Sequence, residues 1–277
     1  MMAAGFRDRE IFNALSQNFD RHMAGNAGER ILALGRYFLG APYAAGTLEK
    51  DKPEALVVNL RQFDCFTFVE NCVVLAHLFS SDPVSFARYR EALTFIRYRR
   101  GRLDGYASRL HYFSDWLFDN QRKGIVKNIS IIPGGQSFAK KIHFMTEHPD
   151  QYPALQDRAA YRQMRDVERR MQRRVRHYIP KTALKKMEGR IADGDLIAVT
   201  TLLEGLDVTH AGIAVHVGQK LHLLHASSLA GCVLVSTETL DRYLSGIKAC
   251  SGVMVARMVE SARMPARKEG RTQDPEK

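Results

Sequence analysis

Long apolar runs are missing from this 277-residue chain. No stretch of 18 apolar residues occurs, so the sequence offers no candidate transmembrane segment. Cysteine is scarce: Cys65, Cys72, Cys232 and Cys250 are too few for a disulfide scaffold at this length and are expected as thiols in an intracellular chain. The absence of any C-x-x-C or H-x-x-x-H pair argues against a structural zinc site. The first ten residues lack the apolar stretch of a secretory signal. The expectation is a protein that stays inside the cell, or a chain beginning after a removed signal. Tryptophan occurs once, but 14 Phe and 10 Tyr supply the bulk for a core. With 45% hydrophobic and 26% charged residues the composition is globular rather than disordered.

Acidic residues are also in short supply. There are 30 Asp and Glu against 41 Lys and Arg, a net charge of +11. Such a balance suits anionic surroundings, or simply a solvated basic surface. It is uneven: residues 158–176 hold eight Arg against Asp166 and Glu168, and 88–102 is also basic. The arginine-rich stretch reads as a solvated helix flank, with an anionic polymer or nucleic acid as the other reading. No specific nucleic-acid partner is expected.

What is present divides the chain in two. Helical spacing runs over 11–23 and 29–39, the second stopped by Gly40 and Pro42. A turn-rich loop over 40–46 and a short apolar run over 55–60 follow. Residues 64–79 place Phe68, Cys72, Ala76 and Phe79 at helical spacing behind Asp64, a good N-cap. The middle, about 85–185, mixes basic helices and polar loops, with a helix expected over 159–176. From 195 the period becomes that of strands: 195–200, 210–217, 220–226, 232–236 and 252–258. Residues 260–277 are charged, without apolar pattern, and read as a disordered tail. Helices first and strands later imply an α+β fold, an antiparallel sheet packed on helices.

Cys65 falls one residue inside the helix that Asp64 opens. Backbone N–H groups and the helix dipole favour negative charge there, which lowers a thiol pKa. The Asp64 carboxylate would oppose this unless engaged in capping. The same N–H groups suit the oxyanion of a tetrahedral intermediate. The alternative is a buried structural thiol, which is how Cys72, two turns along, reads.

A thiolate needs a general base, and the base an orienting partner. His22, His143, His148 and His177 lie in polar text and His77 on the cysteine helix, which leaves the four histidines of the strands. Residues 217–220 read as a hairpin with a two-residue turn, Gly first. Counting back pairs Ile213 with Leu224, Gly212 with His225 and His210 with Ser227. His210 and His225 then share a face, with the bare Gly212 leaving room between them. His222 points to the other face and His216 lies about 20 Å along the strand from His210. A structural role for either remaining histidine stays open.

Asp-Cys-x-Thr-Phe at 64–68, His-Ala-Gly-Ile-Ala-Val at 210–215 and Leu-His-Ala-Ser at 224–227 resemble the NlpC-type branch of papain-like cell-wall cysteine peptidases. More closely, GAPYAAGTLE (40–49), LVVNLRQFDCFTFVE (56–70), GYASRLHYFSDW (105–116), HFMTEHP (143–149) and GLDVTHAGIAV (205–215) resemble the N-acetylmuramoyl-L-alanine amidase-like family. The resemblance spans roughly 29–258. It implies a papain-like NlpC-type core with the nucleophile at a helix N-terminus and a large, mostly helical insertion. It implies cleavage of the amide between the lactyl group of N-acetylmuramic acid and L-alanine in peptidoglycan fragments, without metal or cofactor. Cys65 would be nucleophile, His210 general base and acid, and His225 the residue orienting it. Relatives are usually envelope proteins with a secretion signal, from which this chain departs.

The domain division expected is an N-terminal helical extension over 1–28, the amidase domain over 29–259 with its insertion at about 85–185, and the tail. Tyr43 sits where related peptidases place a tyrosine at the site's mouth. Arg109, His111, Tyr112 and Trp116 form the other substrate-binding candidates, amphipathic aromatics for sugar faces and a guanidinium for a carboxylate; for Trp116 a core position is the competing reading. Rival functions are a γ-D-glutamyl-diaminopimelate D,L-endopeptidase and a non-catalytic basic module binding wall polymer or nucleic acid.

Overall fold

Alternation along one strand shows how the molecule is layered. In β4 (Leu196–Thr201), Leu196 and Ala198 enter one apolar cluster while Ile197 and Val199 enter another on the opposite face. The computed structural model describes residues 2–19, 25–49, 53–80, 84–131 and 135–260. Helices α1 (Met2–Asn18), α2 (Ala27–Tyr37), α3 (Cys65–Leu78), α4 (Phe86–Arg97) and α5 (Phe113–Arg122) come first. Short strands β1 (Val126–Asn128) and β2 (Gln136–Phe138), then α6 (Phe144–Glu147) and α7 (Arg158–Gln172), lead to β3 (Arg176–Pro180) and α8 (Lys181–Met187). After β4 come β5 (Val208–Val217), β6 (Lys220–Ser227), β7 (Cys232–Val235), α9 (Leu240–Ser245) and β8 (Cys250–Met258). The sheet is antiparallel in the order β2-β3-β8-β4-β5-β6-β7, with β1 also paired to β8. The fold is α+β, as the sequence implies.

Helix α3 is the centre of the larger cluster. Asp64 Oδ1 accepts from the N–H groups of Phe66 and Thr67, and the Thr67 hydroxyl returns to the Asp64 N–H, a closed capping box. Every residue from Thr67 to Leu78 is buried, so this helix is apolar all round, packed between α2, α4 and the sheet strands β5 and β6. Truncating Phe68 or Leu75 here costs about 2–5 kcal/mol. Phe12 and Leu15 of α1 join the same cluster, and buried Asp8 ties α1 to Leu60 N–H and Arg61 just ahead of Cys65. On the far face α8 and α9 cover the sheet with Leu184, Leu240 and Leu244.

Within 85–185, α4 and α5 belong to the main cluster through Tyr89, Leu93 and Trp116. A third cluster, from Tyr106 to Met171, has its own apolar centre. The helix expected over 159–176 ends at Gln172. The Arg176 guanidinium donates to the carbonyls of Met171 and Lys140, closing the helix end, and Arg176 itself opens β3, which the sequence reading missed. The expected strands are present with slightly different ends. The helix expected at 11–23 is α1, whose end is at Asn18; residues 20–24 lie outside the described residues. So does the expected tail from 261 on, while Glu260 pairs with Arg30.

The β5–β6 register is the one counted from the sequence: Ile213 faces Leu224, Val215 faces His222, and Val217 faces Lys220 across Gly218, whose φ of +63° suits the first turn position. The ladder runs as far as Ile213–Leu224. The space beside Gly212 is filled by the Leu223 side chain and the Leu224 carbonyl, not by the histidines. What re-aims His210 is on the other edge. Val199 faces His210 but Thr200 faces Val208, so Thr209 is an extra residue, a bulge next to the histidine.

Candidate active site

A cavity of about 230 Å³ opens between the start of α3, the loop ahead of β5 and the third cluster. Cys65, His210 and Ala211 line it together. Cys65 is partly open to solvent. The backbone N–H groups of Ala211, Cys65 and Phe66 favour a charged sulfur, but burial and the Asp64 carboxylate outweigh them and push the thiol up to about 12. A helix start alone would lower the thiol pKa. Two features reverse it: desolvation by the surrounding elements, and the Asp64 carboxylate, which opposes the thiolate even though it is engaged in capping. The Cys65 N–H remains as the donor at the helix start for an oxyanion.

His210 Nε2 and His225 Nδ1 are 2.6 Å apart, their rings at 89°. His210 lines the cavity and His225 stands behind it. This contact uses Nε2 of His210 and leaves Nδ1 as the nitrogen available to a reacting proton. Burial lowers His210 to about 3 and His225 to about 4, so both imidazoles are neutral at ordinary pH. A neutral thiol beside a neutral imidazole moves its proton during attack rather than before it.

Tyr243 of α9, a residue the sequence reading passed over, joins these groups. Its ring lies 5.4 Å from that of His225 and 6.2 Å from that of His210, and its phenol is pushed up by burial and then by the charge of Cys65. Tyr43 is half-buried; burial, then Cys65 and Asp64, raise its phenol, which places it beside the thiol although not on the cavity wall. Its backbone N–H donates to Gly231 O, which fixes the loop against β7.

The other expected contact residues divide. Arg109, His111 and Tyr112 line the cavity. Arg109 was expected to be free for a ligand carboxylate; it instead holds two of the protein's own, Glu49 at 2.8 Å and Glu54 at 3.0 Å. His111 is kept neutral by burial, then by Arg109, with Nε2 against the Tyr106 carbonyl. The Tyr112 hydroxyl donates to Glu168 and accepts from Met145 N–H, so its ring is the part facing the cavity. Trp116 corrects the expectation of a ligand contact: it is fully buried, packed on Phe66 and Phe113, with its indole N–H toward Glu70. Glu70, paired with Arg97 at 2.7 Å, reaches the cavity floor, as does Asp207, which caps the Ser114 N–H. No spacing in the sequence marks these buried pairs.

Residues 33–252 match the AmiA-like family, described as N-acetylmuramoyl-L-alanine amidase-like. The crystal structure of an N-acetylmuramoyl-L-alanine amidase from Bacteroides uniformis ATCC 8492 is 36% identical with a TM-score of 0.80, covering 85% of this chain and all of that one. A structure from Bacteroides fragilis named as a candidate xylanase is 38% identical with a TM-score of 0.77, over 82% of this chain and 100% of its own. A Legionella pneumophila str. Philadelphia 1 protein at 22% identity and a TM-score of 0.67 covers 93% of this chain and 95% of its own, and shares the fold. No curated protein matches the sequence.

Proposed function

We propose that this chain, which belongs to the N-acetylmuramoyl-L-alanine amidase-like family, cuts the amide between the lactyl group of N-acetylmuramic acid and L-alanine in muropeptides by means of a cysteine nucleophile. Family membership makes it an amidase-like hydrolase with a peptidoglycan-derived substrate. The observation that carries the finer reading is the meeting of Cys65, at a capped helix start, with the His210–His225 pair around one cavity.

The Cys65 thiol gives its proton to His210 Nδ1 as sulfur bonds to the lactyl carbonyl carbon. The Cys65 N–H supports the resulting oxyanion. His225 holds His210 through Nε2, fixing which nitrogen is basic. Collapse of the adduct expels the L-alanine amine, which takes the proton from His210. Water, deprotonated by the same imidazole, then cleaves the thioester and returns the proton to sulfur. The amidase unit in this reading is 29–259 with an NlpC-type core, and the insertion at about 85–185 supplies the cavity wall. Arg109, His111 and Tyr112 shape that wall around the substrate, and Tyr43 stands beside the thiol.

Sugar-bond hydrolysis needs two unencumbered carboxyl groups across the bond. The carboxylates at this cavity are engaged: Glu49 by Tyr106 and Arg109, Asp64 by its helix, Glu70 by Arg97, and Asp207 by backbone N–H groups. Digestion of muramyl tripeptide followed by mass spectrometry tests the reading. Free muramic acid derivative plus intact tripeptide, lost in Cys65→Ala and His210→Ala, is the expected result. Muramyl dipeptide plus diaminopimelate would assign a D,L-endopeptidase instead.

A further inference from the structure

Helix α7 presents two unlike sides. Met164, Val167 and Met171 fill the third cluster, whereas Arg158, Arg162, Arg165, Arg169 and Arg173 repeat at helical spacing on the exposed side. Of these only Arg169 has a carboxylate partner among the described residues, Asp166. Glu168 is buried against Tyr112 and Thr146 and neutralises nothing at the surface. Like charges one turn apart repel, so the helix holds a stripe that its own fold does not satisfy.

Beyond the end of the helix the surface carries exposed aliphatic side chains. Val175, just past the helix, is 76% exposed, and Ile131 is 56% exposed. Together with Phe118 they line one shallow depression, where Arg174 lies 3.8 Å over the Phe118 ring. An adjoining depression shares Arg174, Val175 and Arg176 and adds Lys141 and Arg173. Among the described residues the only carboxylate reached by Arg174 is the buried Asp115, which Arg99 also holds.

From this surface we infer a docking site for an anionic phospholipid bilayer, with Val175 and Ile131 entering the headgroup region and the arginines of α7 and Lys141 on the phosphates. A duplex nucleic acid or a wall polyanion would engage the cations but has no place for two exposed aliphatic side chains; a bilayer surface engages both. The apolar face of the same helix backs the third cluster, whose Tyr112 and Met145 line the cavity, so docking would hold the cavity wall near the membrane. This inference does not depend on the proposed reaction.

The test is co-sedimentation of the full chain with phosphatidylcholine vesicles, with and without one third phosphatidylglycerol. Binding only to the anionic vesicles, weakened by salt, is expected. Val175→Ser with Ile131→Ser, and separately Arg173→Gln with Lys141→Gln, should each weaken it roughly tenfold while melting temperature and hydrolysis of a soluble muropeptide stay unchanged. Failure to bind anionic vesicles overturns the inference. So does unaltered binding by the aliphatic variant, or equal affinity for duplex DNA or a soluble polyanion.

Discussion

Nε2 of His210 and Nδ1 of His225 face each other at 2.6 Å, and burial lowers the pKa of both imidazoles. One of the two nitrogens must carry the shared proton. With the proton on His210 Nε2, its Nδ1 is bare and basic. His225→Ala should therefore lower kcat about a hundredfold or more with KM little changed, and His225→Asn, which keeps an acceptor, should recover part of the loss. Steady-state kinetics on a soluble muropeptide reads both.

Because the Cys65 thiol sits at about 12 in the resting site, iodoacetamide should alkylate it at a rate climbing about tenfold per pH unit between roughly pH 7 and 10, with no plateau near neutrality. Buried Cys72 and Cys250 should react only on unfolding. A plateau near pH 7 in peptide-mapped alkylation would show a preformed ion pair instead.

Asp64 both caps α3 and disfavours the thiolate. Asp64→Asn preserves the cap acceptor and removes the charge, so Cys65 alkylation at fixed pH should accelerate severalfold with little change in stability. Asp64→Ala should also accelerate it but cost about 1 kcal/mol in denaturant unfolding.

His210 titrates near 3 when folded and near its ordinary ~6.5 when unfolded. Between these values the unfolded chain binds a proton that the folded chain refuses, so this group destabilises the fold progressively as pH falls. Relative to His210→Asn, the wild-type chain should lose stability from pH 7 to pH 5, read as diverging urea midpoints. Buried Glu54, Glu70 and Asp207 titrate with the opposite sign but are common to both chains and cancel in the comparison.

Arg97 and Glu70 form an ion pair with almost no exposure beneath the cavity. Arg97→Met leaves a buried carboxylate without its cation and should cost about 3–5 kcal/mol. Adding Glu70→Gln should return most of that, measured by thermal or urea unfolding.

The sequence made the helix at 64–79, the hairpin register and the pairing of His210 with His225 legible because each rests on local rules: a cap, a turn glycine and a period of two. It did not reveal Tyr243, Glu70–Arg97 or the anchoring of Arg109 by Glu49 and Glu54, since each joins segments distant along the chain. The resting state of Cys65 was hidden for a related reason. A helix start is local, whereas desolvation is set by every element packed around it. Trp116 shows the same limit: ligand contact and core position were rival readings, and the packing of Phe66 from another helix decides for the core.

The reacting groups rest on the sheet and α3, while Met145, Tyr112 and Tyr152, which close the other side, hang on a separate apolar centre. Energetic coupling fades between groups that share no packing partners. Selection can thus remodel which ligand is admitted without disturbing the chemistry, and the two traits are free to evolve at different rates.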